Sequence, residues 1–308
     1  MAPDLSIIVA NWQGEEWLAR CLSSLQLSAR RSQRSCEIIV VDDASSDSGP
    51  AMVRERFPKI TLLQNPSNRG FAWSINRGVA AAKGRFVVLC NNDLVVREEF
   101  IGELLAPFEE RGARNLFATS ARTIGWYDGK ANQLCMGAVW QGGRLTPAWS
   151  DPPSTSPCLF VQAGAAAYRR EMWERLGGLS GLYEPGYWED YDISWRAAKR
   201  GWSQLYVPSS VALHVGGGSM RKRYGDEGVE RMKARNHLLF EASCLTSPRL
   251  LTEWSARLAL GAARGPLRRG LLDAAPRLGA ALAQRVRLKS RVSDEELLSR
   301  TRGFTPSF

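Results

Sequence analysis

Over the first 120 positions, apolar blocks of strand length alternate with stretches whose apolar residues recur at helical spacing. Leu5-Ser6-Ile7-Ile8-Val9-Ala10 predicts a buried strand, and Glu15 to Leu27, with Trp17, Leu18, Cys21, Leu22 and Leu25 in helical phase, predicts the helix after it. Glu37 to Asp43 repeats the strand and ends in two acids. Ala51 to Phe57 reads as a short helix stopped by Pro58, and Ile60 to Gln64 as a third strand. Past the turn-rich Asn65-Pro66-Ser67-Asn68-Arg69-Gly70, a helix from Phe71 to Ala82 is closed by Lys83-Gly84. Arg85 to Leu94 is the fourth strand, an apolar run that ends in Asn91-Asn92-Asp93. Parallel strands need crossover helices, so the alternation predicts an α/β fold with a doubly wound, mostly parallel sheet flanked by helices. Ligands of such sheets bind at the carboxyl edge, where these polar residues fall.

After a helix expected at Glu98 to Arg111 the rhythm loosens. Short strands are expected at Asn115–Ser120, Leu134–Trp140 and Cys158–Ala163, with an exposed loop from Pro147 to Pro157. Helices follow at Tyr168–Leu176 and Glu189–Arg200, closing strands at Ser203–Val207 and Val211–His214, and a further helix at Gly225–Cys244. Beyond Thr246, Leu250, Leu251, Trp254, Leu258, Leu267, Leu271, Leu272, Leu278 and Leu282 recur among arginines that include Arg257, Arg264, Arg268, Arg269, Arg277, Arg285 and Arg287.

Composition adds three constraints. A chain of 308 residues with 44% hydrophobic content and 11 Trp has the material for a globular core, which argues against disorder. The net charge of +10 is concentrated in the tail: Thr246 to Arg302 holds 12 Lys and Arg against 5 Asp and Glu, leaving 29 against 26 elsewhere. The six cysteines are scattered with no C-x-x-C pair, and read as reduced thiols of a cytosolic protein. The amino terminus runs straight into a strand with no secretory signal visible, and no apolar run approaches the ~20 residues of a membrane span.

Four places carry candidate chemistry, each with a plain structural explanation beside it. Asp42-Asp43 and Asn91-Asn92-Asp93 end apolar strands, though Asn and Asp also favour turns for local reasons. Trp188-Glu189-Asp190-Tyr191-Asp192 opens a helix, where acids offset the dipole and Asp192 can pair with Arg196 one turn on. Packing those acids among aromatic residues would raise a carboxylate pKa and so make a base. His214 ends a strand, followed by Val215-Gly216-Gly217-Gly218-Ser219, whose bare backbone could approach a phosphate, and by the cationic Met220-Arg221-Lys222-Arg223. Without the histidine, a flexible loop with solvated charges would be the preferred reading of that run.

Taken in order, these residues resemble glycosyltransferase family 2. Ser6-Ile7-Ile8-Val9, Val40-Val41-Asp42-Asp43-Ala44-Ser45-Ser46-Asp47, Asn68-Arg69-Gly70-Phe71 with Asn76-Arg77-Gly78, and Asn91-Asn92-Asp93 are similar to its nucleotide half. Gly164-Ala165-Ala166, Arg170-Glu171, Gly177-Gly178, Glu189 to Arg196 and His214 resemble its acceptor half. The match spans roughly residues 5 to 240, is specific as an ordered set, and within the family is nearest to rhamnosyltransferase-like enzymes of bacterial surface polysaccharide assembly.

The resemblance implies a GT-A fold. A catalytic domain would occupy 1–224, with a nucleotide half of about 1–120 and an acceptor half of about 121–224, and a basic helical extension would occupy 225–308. It implies inverting transfer of a sugar from a nucleotide-diphosphate sugar to a saccharide or lipid-linked acceptor. Asp42 and Asp43 would sit near the nucleoside, with Asn68, Gly70, Asn92 and Arg221 completing the donor set. Asp93, last acid of the D-x-D motif, and His214 would bind Mg²⁺ or Mn²⁺. Asp190 would be the general base, and Trp188 and Glu189 would lie on the acceptor side. Two departures stand out: Asn91 replaces the first acid of D-x-D, and Gly178-Leu179-Ser180-Gly181 replaces the usual Gly-Phe-Asp-Glu.

Two other functions are weighed. A nucleotidyltransferase should carry a Gly-rich phosphate loop after the first strand, whereas Asn11-Trp12-Gln13-Gly14-Glu15-Glu16 has one Gly and two acids. A non-catalytic scaffold with a dead transferase domain draws support from Asn91, against the retention of Asp93, Asp190 and His214. The basic tail reads either as amphipathic helices on an anionic membrane or as an appendage packed on its own domain or a second subunit, the acceptor chemistry tipping the balance to the membrane. The expected location is cytoplasmic, peripheral on the inner membrane face. No nucleic-acid module is recognised, and nucleic acid is not expected as a partner.

Overall fold

The first strand, β1 (Leu5–Asn11), is mostly apolar on both faces and buried except at Ala10, as suits a central parallel strand. The computed structural model describes residues 2–216, 219–261 and 265–306. Four β/α units follow from the amino terminus: β1 and α1 (Glu15–Arg31), β2 (Cys36–Asp42) and α2 (Gly49–Arg56), β3 (Thr61–Gln64) and α3 (Phe71–Ala81), then β4 (Phe86–Asn91), which a short β5 (Leu94–Val96) and α4 (Phe100–Leu105) complete. Strands β2, β1 and β4 are in parallel register, with Asn11 opposite Asp42 and Ala10 opposite Asn91. That register lines up the three polar strand ends at one edge.

The sheet continues through β6 (Leu116–Gly125), with β7 (Ala131–Gln133) beside it. A separate hairpin of β8 (Cys135–Gln141) and β9 (Arg144–Ser150) comes next, then β10 (Ser156–Pro157), β11 (Ala165–Arg169), α5 (Arg170–Leu176), α6 (Glu189–Lys199) and β12 (Ser203–His214). The order across the main sheet is β10-β12-β6-β11-β4-β1-β2-β3, with β5 also on β12. Strand β11 runs antiparallel to both neighbours, while β12 is parallel to β6. This is the GT-A arrangement: a mostly parallel α/β sheet whose strand order reverses between β1 and β4, opening a crevice there.

Several boundaries differ from expectation for identifiable reasons. Cys158–Ala163 is not a strand but an extended segment with one bridge, Phe160 to Met136. The strand is Ala165–Arg169, so the helix expected from Tyr168 starts at Arg170. An alanine-rich run favours helix locally, but it lies between β4 and β6, where small side chains let both faces pack. The loop expected from Pro147 is strand as far as Ser150, with Pro147 opposite Ala138 on β8. Pro107 cuts the helix expected to reach Arg111, leaving Phe100–Leu105 and a 3₁₀ turn. The two closing strands are one, bent by an irregularity between Val207 and Val211.

The tail forms α7 (Ser219–Cys244), α8 (Pro248–Gly261), α9 (Gly265–Val286), α10 (Asp294–Ser299) and β13 (Thr305–Pro306), which pairs with β9. Helix α7 starts before the expected Gly225, which breaks it with φ 68°. Leu250, Leu251, Trp254, Leu258, Leu267, Leu271 and Leu278 pack with Trp195, Leu145 and Phe160 in a core shared with α6 and the β8–β9 hairpin. Leu272 and Leu282 remain exposed, with Leu260 and Val286. Gly217, Gly218 and Arg264 lie outside the described residues. Among the described residues no helix is long and apolar enough to cross a membrane.

Candidate active site

The strand ends form the floor of a cleft of about 420 Å³. On its β1–β4 side the polar groups bind one another. Asp42 is fully buried; its carboxylate accepts from Asn11 Nδ2 at 2.8 Å and Ser45 N at 3.1 Å, and it does not line the cleft. Asp43 does line it, and accepts from Asn65 Nδ2 (2.7 Å), Arg69 N (2.8 Å) and Gly70 N (2.8 Å). Asn68 Nδ2 donates to the Asp43 carbonyl at 3.3 Å. The turn before α3 is thus wrapped around one carboxylate, which explains why it needs both an Asn and a Gly. Gly70 has φ 86°, and a Cβ there would lie 3.0 Å from the Pro185 carbonyl oxygen on the opposite wall. Asn92 Nδ2 donates to Asn11 Oδ1 at 2.8 Å, and a Cβ on Gly14 would lie 2.0 Å from that nitrogen.

Asp93 and His214 meet although 121 positions separate them. Strand β5 pairs Leu94 with His214, and this brings His214 Nε2 to 3.3 Å from Asp93 Oδ2. Both side chains are partly exposed and line the cleft. Among the described residues no set of three His, Cys, Asp or Glu side chains could enclose an ion. A carboxylate oxygen and an imidazole nitrogen beside open space are donors that a divalent cation such as Mn²⁺ accepts, with its remaining positions left to water or a bound ligand.

The far wall is the segment before α6. Tyr187 and Trp188 have φ of 70° and 77°, unusual for residues with side chains, and each costs on the order of 1–3 kcal/mol. Packing and hydrogen bonds from the tail hold them there. The Trp188 ring stacks on His237 at 4.2 Å and so faces the core rather than the cleft. Asn236 Nδ2 lies 2.8, 2.8 and 3.0 Å from the carbonyl oxygens of Tyr183, Gly186 and Tyr187. Arg144 lies 3.0 Å from His237 Nδ1, and Nε2 lies 2.7 Å from the Leu145 carbonyl oxygen, which fixes the ring under Trp188.

Helix α6 then delivers three carboxylates with different fates. Asp192 is buried and fully engaged, accepting from Arg196, Tyr183 and Gln284. Glu189 and Asp190 line the cleft. Burial pushes the Asp190 carboxyl up to about 6, against the opposing pull of the Tyr191 backbone N–H at 2.9 Å. Burial and then the Asp190 charge push Glu189 to about 8. Glu189 is 7% exposed, and its Oε2 has no hydrogen-bond partner among the described residues.

Of the predicted site residues, the cleft gathers Asp43, Asn68, Gly70, Asn92, Asp93, Glu189, Asp190 and His214. Asp42, Trp188 and Arg221 lie outside it. Arg221 turns outward and pairs with Asp226 at 3.4 Å, while Met220, Arg223 and Tyr224 line the cleft instead. Spacing of three and four on α7 could have picked those residues from the cationic run. Trp12 was also missed, and the Arg223 guanidinium lies 5.0 Å from its ring centroid.

Residues 6–177 match the family profile described as "Glycosyl transferase family 2". A curated relative, N-acetylglucosaminyl-diphospho-decaprenol L-rhamnosyltransferase of Mycobacterium tuberculosis, is 25% identical over 70% of this chain and 76% of its own length. The succinoglycan biosynthesis protein ExoO of Rhizobium meliloti is 28% identical over 70% of this chain and 57% of its own. Among solved structures, residues 1–349 of S. aureus TarS with UDP-GlcNAc superpose with a TM-score of 0.61 at 16% identity, covering 94% of this chain and 89% of that one. A Pyrobaculum calidifontis mannosyltransferase with GDP-Man and Mn²⁺ gives 0.56 at 17% identity, covering 94% and 85%.

Proposed function

The chain belongs to glycosyltransferase family 2, and on that premise we propose that it transfers a sugar, with inversion, from a nucleotide-diphosphate sugar to a hydroxyl of a lipid-linked saccharide. The observation that carries the reading is the meeting, in one cleft, of the Asp93–His214 pair with a carboxylate poised as a base, Asp190. The acceptor oxygen forms its bond to the anomeric carbon as the bond to the diphosphate breaks, and the hydroxyl proton passes to Asp190. A carboxyl at about 6 is mostly ionised at neutral pH yet is a stronger base than an ordinary aspartate. Glu189, at about 8, stays protonated there and spares the cleft a second negative charge. A divalent cation held by Asp93 and His214 would neutralise charge on the leaving diphosphate.

The named relatives support a place in polysaccharide assembly and a hexosyl or deoxyhexosyl donor such as rhamnose. A peripheral position on a membrane bearing the acceptor is supported by exposed Leu272, Leu282 and Val286 on arginine-bearing α9. Calorimetric titration with a panel of nucleotide sugars, with and without Mn²⁺, tests the reading. One of them is expected to bind tightly only with the metal, and binding of none would overturn it.

A further inference from the structure

A second cavity, of about 560 Å³, opens beside the cleft and shares with it Asn68, Gly70, Pro185, Arg223 and Tyr224. Five arginines line it, against two carboxylates, Glu184 and Asp273. Arg231 is held by Asp273 at 2.9 Å, but Arg69, Arg223, Arg235 and Arg277 make no ion pair among the described residues. Arg235 and Arg277 donate to the same carbonyl oxygen, that of Glu184, at 2.6 and 2.7 Å. Arg277 also donates to Leu182 O at 2.9 Å. Two guanidinium groups thus converge with only peptide oxygens between them. Burial, and then the Arg277 charge beside it, lower the affinity of Arg235 for its proton. Such a pair is stabilised most by an anion that both can reach, and guanidinium forks match phosphate geometry.

We propose that this cavity is a subsite for the diphosphate of a lipid-linked saccharide acceptor. The inference rests on the transfer reading above. Pro185, shared by the two cavities, lies five residues before Asp190, so an acceptor phosphate bound here leaves its saccharide to enter the cleft past this lip. The surplus of three positive charges around the cavity suits a diphosphate diester, which carries about two negative charges.

The test is titration of the full chain with inorganic pyrophosphate in EDTA, which keeps metal out of the cleft. The parent is expected to bind, and Arg69→Gln and Arg277→Gln each to weaken binding by about tenfold or more. The Arg69 side chain donates to no backbone carbonyl among the described residues, so the loss on its substitution cannot be ascribed to a disturbed loop. Binding that survives both substitutions would put the anion outside this cavity and overturn the proposal, as would no binding at all. Vesicles separate the source. Farnesyl diphosphate in phosphatidylcholine should bind the parent about tenfold better than phosphatidylglycerol at equal charge, and equal binding would reduce the effect to surface charge. None of these readings requires sugar transfer. Failure here with nucleotide-sugar binding intact removes the subsite alone, whereas failure of the donor panel removes the transfer reading beneath it.

Discussion

The two walls of the cleft treat their carboxylates in opposite ways. On the β1–β4 wall, Asp42 and Asp43 are surrounded by donors, and every bond comes from the adjoining strand ends and turn. On the α6 wall, Glu189 is buried and Asp190 half-buried, and desolvation holds both above their ordinary pKa values despite the Tyr191 backbone N–H that Asp190 accepts. A carboxylate saturated with hydrogen bonds is fixed in shape and charge, which suits recognition. One that loses more to desolvation than its hydrogen bonds return retains affinity for a proton, which suits chemistry. The α6 wall owes its form to distant residues, since its strained approach is anchored by Asn236, Arg235 and Arg277 of the tail.

The contrast is broken most severely at Asp190. Asp190→Asn keeps size and burial but removes the proton acceptor, and kcat should fall by about 10³-fold. Donor affinity measured by calorimetry should change less than about threefold, because the two walls separate binding from proton transfer. Near-parent turnover would remove Asp190 as the base and the contrast with it.

Asp43→Asn tests the saturated wall. An amide oxygen cannot replace a carboxylate that accepts two backbone N–H groups and an amide, so urea unfolding should show a loss of about 2–3 kcal/mol. Donor affinity should fall in parallel, since the Asn68–Gly70 turn loses its anchor. A loss of turnover at unchanged stability and donor affinity would mean this wall takes part in the chemistry.

Asn236→Ala probes the dependence of the α6 wall on the tail. Three carbonyls lose their shared donor, and about 1–3 kcal/mol of stability should go with it. At temperatures where the variant is folded, kcat/KM for the acceptor should drop about tenfold while donor affinity holds, because a small displacement of a reacting group is costly.

These walls were unequally legible from the chain. The parallel sheet and the polar ends of β2 and β4 followed from apolar runs that stop in acids and amides, a local signal. The pairing of Asp93 with His214 came from resemblance alone, because it depends on β5 folding back onto β12. What the pattern could not convey was orientation. Nothing local distinguishes Asp42, turned in toward Asn11, from Asp43. Trp188 pointed to the acceptor side by position, yet its ring is drawn inward by His237, 49 residues on. The packing of the tail leucines was likewise unreadable, since an amphipathic helix shows an apolar face without naming what covers it.

The subtlest test of the contrast lies in Glu189, which shares burial with Asp190 but is assigned no proton to move. Its carboxyl is raised by burial, so the folded state binds a proton more tightly than the unfolded one. Its contribution to stability is therefore complete below its unfolded pKa near 4.5 and is lost as pH rises through about 8. Glu189→Gln, a permanent mimic of the protonated form, should match the parent in stability at pH 5. At pH 9 it should be more stable than the parent, by at most about 5 kcal/mol at roughly 1.4 kcal/mol for each tenfold change in proton affinity, and by less because the adjacent Asp190 charge shares the effect. The acid limb of kcat/KM, set by Asp190, should stay near pH 6 in this variant, since Glu189 is already neutral there. Movement of that limb by about one pH unit would make the two carboxylates a single titrating pair, and the base would then be the pair and not Asp190 alone.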